Sequence, residues 1–309
     1  MIGVALYLLL CLIWGSTWLV IKVGYGGLGP FNVAAIRFFL AGIVMAAIAP
    51  MMGARWPRRR SEWALIVAVA LLMFAGDYGA VYWSEQYIDS GLTAILFATL
   101  PLLTLAVAHV YLPGERVTAS KLAGTLLAFV GVMALFADHA RIDARQLWPM
   151  LAVIGGALCA AMASVASKRY GAGLDSAALN APSMLIGAVV LAGVSLATGD
   201  GFALPPDSAT WGAVLYLALA GSVLAFLVYF SMLKTWSVMS LSFISVFTPA
   251  IALILGFIFL DERPTMWSVV GATLIVAGVA LALTPGRRAV PVRDTPEGAS
   301  YGGGPGLGR

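Results

Sequence analysis

The sequence predicts an all-α membrane protein: ten transmembrane helices arranged as two inverted five-helix repeats, with N- and C-termini cytoplasmic. Three observations predict it. Of 309 residues, 61% are hydrophobic and only 10% charged, too little polar surface to cover a water-soluble core of that size. Apolar runs of about 20 residues, the length that crosses a bilayer as helix, follow one another with short breaks. The chain also repeats itself: Cys11, Ser16 and Pro101 recur 148 positions later as Cys159, Ser164 and Pro249. Glu115-Arg116, Gly124 and Gly131 recur 147 later as Glu262-Arg263, Gly271 and Gly278.

Segment one, 2–23, lacks a basic leader, and Trp14 and Trp18 replace the small residues of a cleavage site, so it is read as a retained helix. Segment two, 31–50, follows Pro30 and carries Arg37 inside it. Segment three, 63–84, follows Arg55, Arg58, Arg59 and Arg60. Flanked by Trp56 and Trp63, these cations read as a topology signal with an aromatic belt rather than a nucleic-acid patch. Segment four, 90–111, holds Pro101, and segment five, 118–137, holds Gly124 and Gly131, seven apart on one packing face. A charged connection, 138–146, separates this first repeat, 1–137, from the second, 147–284. The second repeat contains segments 147–168, 176–197, 211–232, 238–260 and 266–284, with Pro249, Gly271 and Gly278 at matching places. Five crossings per copy is an odd number, which turns the second copy upside down. Thirteen Lys and Arg fall on one side and four on the other, which puts both ends of the chain in the cytoplasm. Residues 285–309, rich in Gly, Pro and Arg, are expected to form a disordered cytoplasmic tail.

Catalysis finds no footing in the chain. It has no Gly-x-Ser-x-Gly, no phosphate-binding loop with Lys, no His-Glu-x-x-His and no paired intramembrane aspartates. Two cysteines inside apolar segments give neither a disulfide framework nor metal-ligand spacing. No cofactor and no metal are expected, and no nucleic-acid partner. The expected partners are the lipid bilayer and a small-molecule substrate. Without an ATP site, uphill transport would borrow an ion gradient, with protons as the candidate ion, and facilitated diffusion is the alternative.

Trp14-Gly15-Ser16-Thr17-Trp18, Lys22, Pro30, Arg37-Phe38, Ser90-Gly91 and Thr99-Leu100-Pro101-Leu102 come in the order of a half-unit of the EamA family of the drug/metabolite transporter superfamily. Gly114-Glu115-Arg116, ahead of Gly124 and Gly131, continues that resemblance. The second copy resembles the family through Pro249, Asp261-Glu262-Arg263, Gly271 and Gly278, but Met162 and Ala163 replace Trp14 and Gly15. The resemblance implies two inverted five-helix bundles that move small metabolites or drugs, usually outward. A transporter of the inner membrane, exporting amino acids or related amphipathic compounds by alternating access, is the expected function. A ligand sensor using the same cavity is the rival.

The candidate substrate-binding residues follow from cost in lipid. Asp77 lies about 20 Å along its helix from Trp63, in the outer half, where a carboxylate costs several kcal/mol unless it pairs, meets water or takes a proton. Arg37 has comparable depth, and the two are expected either to share the outer half of one polar cavity or to lock helices together. Tyr78, Tyr82 and Glu85, at i, i+4 and i+7, form one face that suits an aqueous path. Asp77 and Glu85 are the candidate proton carriers. Trp14 and Trp18, with Ser16 to one side, offer indole faces to rings or cations. Their counterparts in the second copy are Met162 and Ser164. Pro101 and Pro249 are read as mid-helix kinks that free carbonyls near Phe97 and Ser245, with Thr99, Ser245 and Thr248 hydroxyls as substitutes for the missing donors. His109 is expected to be solvated, and the Glu-Arg steps at 115–116 and 262–263 to be structural.

Overall fold

The computed structural model describes residues 2–113, 117–135, 146–251 and 265–284, and its secondary structure is helical throughout, with no strand among the described residues. That is the form an apolar chain takes when lipid offers its peptide groups no partner. Seven helices are long and apolar enough to cross a membrane: α1 (Ile2–Tyr25), α2 (Pro30–Met51), α3 (Arg60–Ser84), α4 (Ser90–Tyr111), α6 (Leu147–Tyr170), α7 (Ser176–Ala197) and α8 (Ser208–Thr235). Three shorter apolar helices complete the order: α5 (Ala119–Leu135), α9 (Val238–Ile251) and α10 (Met266–Leu283). The Glu-Arg steps at 115–116 and 262–263, His139, most of the 138–146 connection and the 285–309 tail lie outside the described residues.

Local sequence sets the helix starts. Pro30 opens α2 in the first turn, where its missing N–H costs nothing. The two glycines before it, Gly26 (φ 47) and Gly27 (φ 83), supply the left-handed turn. Asp207 caps α8 by accepting from the Thr210 amide at 2.8 Å, and that bond holds its carboxyl below the usual range. Ser237 caps α9 by accepting from the Ser240 amide at 3.0 Å.

The helix bounds repeat with the sequence. Arg60 and Ser208 open α3 and α8, and Ser90 and Val238 open α4 and α9, each pair 148 residues apart. Within α3 the backbone widens to a π-helical stretch at Ala70–Asp77, and within α8 it does so at Leu219–Leu224. Widened turns concentrate at functional sites.

Pro101 does not kink a continuous helix. α4 is two helices, Ser90–Phe97 and Leu100–Tyr111, parted by a turn at Ala98-Thr99, and Pro101 sits in the first turn of the second. The Thr99 hydroxyl donates to the Leu96 carbonyl at 2.7 Å and so caps the end of the first piece. α9 is likewise broken at Phe243, and there Pro249 does lie inside the helix that follows. The carbonyl of Ser245, four residues back, accepts instead from the Thr248 hydroxyl at 3.1 Å.

Packing joins equivalent helices. A Cβ on Gly124 would meet the backbone of Gly278 and Ala282, and one on Gly131 would lie 2.8 Å from the Gly271 carbonyl oxygen. Position numbers fall on one helix as they rise on the other, so α5 and α10 run antiparallel with their backbones nearly touching. α2 and α7 also pack together, Gly42 against Leu185. The outward face is apolar: Leu8, Leu12 and Leu19 on α1 and Leu122, Leu126 and Val130 on α5 stand exposed.

The loops gather at two opposite ends. At one, the Arg55 amide donates to Asp175 at 2.8 Å, Lys234 stands 3.8 Å from the same carboxylate and Arg169 bonds the Tyr111 carbonyl. At the other, Gln146 donates to the Tyr87 carbonyl at 3.2 Å, Ser84 to the Pro149 carbonyl at 2.9 Å and Asn32 to the Ala203 carbonyl at 2.8 Å.

Candidate functional site

Between the broken helices and the widened turns lies a partly open cavity of about 90 Å³. Its wall comes from α1, α3, α4, α6, α8 and α9. α1 contributes Trp14, Thr17, Trp18 and Ile21, and α3 contributes Met73, Asp77, Tyr78 and Val81. Phe97 and Leu100 come from the break in α4, Ser164 from α6, Phe226 and Tyr229 from α8, and Ser245 and Thr248 from α9.

Four of these wall pairs are equivalent by the 148-residue repeat: Tyr78 with Phe226, Val81 with Tyr229, Phe97 with Ser245, and Leu100 with Thr248. Shifting Tyr78 by the repeat would have found Phe226 from the sequence. Phe226 and Tyr229 are the main residues that reading missed.

The lining is an aromatic box with few polar groups. Trp14 meets Phe226 and Tyr229 at centroid distances of 5.6 and 5.4 Å, and Trp18 meets Phe97 at 5.7 Å. Ser164 shares a hydrogen bond of 2.9 Å with the Tyr229 hydroxyl. Two buried polar atoms of the wall have no hydrogen-bond partner: Asp77 Oδ1, an acceptor, and Trp18 Nε1, a donor. Asp77 is 4% exposed, so its unsatisfied oxygen is costly unless a ligand, water or proton meets it.

Arg37 stands behind the wall instead of in it. It is 0% exposed and donates to Ser222 Oγ at 2.9 Å, to the Tyr82 hydroxyl at 3.1 Å and to the Gly221 carbonyl at 3.2 Å. Its guanidinium lies 4.7 Å from the Tyr78 ring centroid and 5.0 Å from that of Phe38. A Cβ on Gly221 would stand 3.3 Å from Arg37 Nη2, so the missing side chain lets the guanidinium approach. The same Gly221 carbonyl accepts from Trp14 Nε1 at 3.3 Å. Asp77 feels the charge of Arg37 without a direct ion pair, and the expected shared cavity reduces to one wall residue and one supporting cation.

Other expected residues fall elsewhere. Tyr82 and Glu85 are buried away from the cavity, turned toward α2 and α1, where the Tyr25 hydroxyl donates to the Tyr82 carbonyl at 2.7 Å. The cavity takes Asp77, Tyr78 and Val81 instead, so the face through 78, 82 and 85 reaches this cavity only at Tyr78. Ser16 turns outward to the Tyr216 hydroxyl at 2.7 Å. Met162 is 38% exposed and outside the cavity. Thr99, Pro101 and Pro249 shape the backbone beside the cavity without lining it. Both cysteines are free thiols.

Comparison with known proteins points one way. The model of the EamA-like transporter family matches residues 1–137 and again 147–284. Transporter YoaV of Bacillus subtilis is 28% identical over 87% of this chain and 92% of its own. The "Probable terminal-alkyne amino-acid exporter" of Streptantibioticus cattleyicolor is 30% identical over 89% of this chain and 95% of its own. Inner membrane transporter YedA of Escherichia coli is 28% identical over 80% of this chain and 79% of its own. A solved crystal structure superposes with a TM-score of 0.77 over 91% of this chain and 96% of its own at 22% identity, which speaks for the fold.

Proposed function

Because the chain belongs to the EamA-like transporter family, we propose that it is an inner-membrane exporter of amino acids or related amphipathic compounds, working by alternating access. The observation that carries this reading is the cavity itself, walled by equivalent positions of both sequence repeats and lined in part by Asp77, whose Oδ1 is buried without a partner. Aromatic faces at Trp14, Trp18, Phe226 and Tyr229 suit the apolar body of a solute, while Asp77 Oδ1 and Trp18 Nε1 suit its polar end. Ser164 and Ser245 add hydroxyls to the wall.

Two inverted five-helix bundles, 1–137 and 147–284, are the architecture that suits the mechanism. Antiparallel packing of the equivalent helices α5 and α10 supports the inversion, since equivalent helices of a repeat in the same orientation would run parallel about such an axis. Basic residues at the end that gathers Arg55, Lys168, Arg169 and Lys234 support a cytoplasmic placement of that end and of both termini. The relatives named as transporters, one of them an amino-acid exporter and one an inner membrane protein, support the solute class and the location.

Proteoliposomes loaded with labelled amino acids or cationic dyes test the reading. Exchange of label across the sealed bilayer is expected for at least one solute. Asp77→Asn is expected to lower that exchange by about tenfold or more, ~1.4 kcal/mol of lost solute interaction, with no loss of thermal stability. Solute binding without exchange would replace the transporter with a sensor.

A further inference from the structure

Glu85 is the first residue beyond α3, at the end opposite the basic loops. It is 4% exposed, and both its carboxylate oxygens are buried without a hydrogen-bond partner. A buried carboxylate with no completed hydrogen bond cannot cheaply stay charged. It must hold a proton or draw in a cation.

The described groups around it come from four helices. α1 brings Lys22 and Tyr25, its own helix brings Tyr82, and α4 brings Ser90, whose hydroxyl faces it without completing a bond. α6 touches this corner through the Pro149 carbonyl and its N-cap Gln146, and no described charged residue of α6 lies at that end. Lys22 is the facing cation, but it is shared: it stands 3.9 Å from Asp89, whose side chain is 95% exposed. Burial pushes the Glu85 carboxyl up to about 8, against the pull of Lys22.

A line of contacts runs from the residues beside Glu85 to the cavity wall. Tyr25 donates to the Tyr82 carbonyl at 2.7 Å, the Tyr82 hydroxyl accepts from Arg37 at 3.1 Å, and Arg37 stacks on Tyr78 in the wall. Separation of α1 from α3 would break this line and wet Glu85 in the same motion.

We propose that Glu85 is a proton-binding site distinct from the solute cavity, holding its proton while α1, α3 and α4 close over it and releasing it when they part. On release the O–H bond breaks, the proton passes to water at that end, and the electron pair stays on a carboxylate that Lys22 then neutralises. Nothing is oxidised or reduced. The coupling of this proton to solute movement rests on the transport reading, whereas the proton site itself does not. The sign is fixed by the direction of the shift: a raised carboxyl favours the closed arrangement below about 8 and weakens it as pH rises through that value.

Infrared pH-difference spectra of the full-length protein in liposomes test the site without any solute. A protonated-carboxyl carbonyl band is expected to vanish as pH rises through about 8 in the parent and in Asp77→Asn. It should be missing in Glu85→Gln and should move to higher pH in Lys22→Met. Absence of such a band in the parent, or its loss in Asp77→Asn with retention in Glu85→Gln, overturns the proposal. For coupling, solute uptake should respond to a pH gradient in the parent and in Glu85→Asp and lose that response in Glu85→Gln. A retained response in Glu85→Gln overturns the coupling, while no uptake of any solute by the parent overturns the transport reading and leaves the infrared result to judge the site.

Discussion

Helices α3 and α8 share a backbone and divide the chemistry. Both begin 148 residues apart, both widen to a π-helical stretch at matching depth, and both turn matching side chains into the cavity. Yet Asp77 on α3 and Glu85 just beyond it stand where α8 has Ala225 and Leu233, and Arg37 of α2 stands where α7 has Leu185. α8 answers with acceptors, the Gly221 carbonyl and Ser222 hydroxyl, that take the Arg37 hydrogen bonds. Buried charge in lipid is costly and must be partnered, so one charged set and one accepting set is the cheaper arrangement. The first helices differ further: α1 offers two tryptophans to the cavity, and α6 offers Ala160 and Ser164.

Breaking the Arg37 clamp should have the largest effect. Arg37→Gln removes charged donors from three buried acceptors and is expected to cost ~1–3 kcal/mol for each acceptor left unpaired, read as a fall in melting temperature of the purified protein. Its repeat mate Leu185, half-buried, is expected to cost at most about 2 kcal/mol on truncation to Ala. Equal losses at the two positions would dissolve the division of chemistry between the halves.

The glycine seam should behave in the opposite way, alike on both sides. Gly124→Val and Gly278→Val each push a side chain into the facing backbone and are expected to cost ~1–3 kcal/mol apiece. A large inequality would mean that α5 and α10 do not meet symmetrically. The smallest effect is expected at Met162, the exposed counterpart of Trp14: Met162→Ala should change stability by no more than about 0.5 kcal/mol and leave exchange unaltered. Trp14→Ala, which strips the cavity of an aromatic wall, should slow exchange, so the pair sharpens the contrast between α1 and α6.

Periodicity says which residues share a helix face, and in this chain it was right about that and silent about what the face meets. Tyr78, Tyr82 and Glu85 do share a stripe, but Tyr82 and Glu85 lie against α2 and α1 while Tyr78 reaches the cavity. Widened turns compound the difficulty, because one inserted residue rotates everything beyond it by about 100° and leaves no mark in composition. Pro101 illustrates the same limit: proline announces a discontinuity, and only the structure places that discontinuity before it, at Ala98-Thr99.

By itself the sequence determined the solvent, the apolar helical runs, the duplication and the outlying carboxylate, because hydrophobic run length and buried charge are properties of local stretches that lipid prices one by one. Tertiary structure decided which polar groups meet: that Arg37 serves Ser222 and Tyr82 instead of lining the cavity, that Ser16 faces Tyr216 while Ser164 faces inward, and that Glu85 ends up buried. Those outcomes depend on how helices far apart in the chain rotate against each other to pack, and no local pattern encodes that rotation.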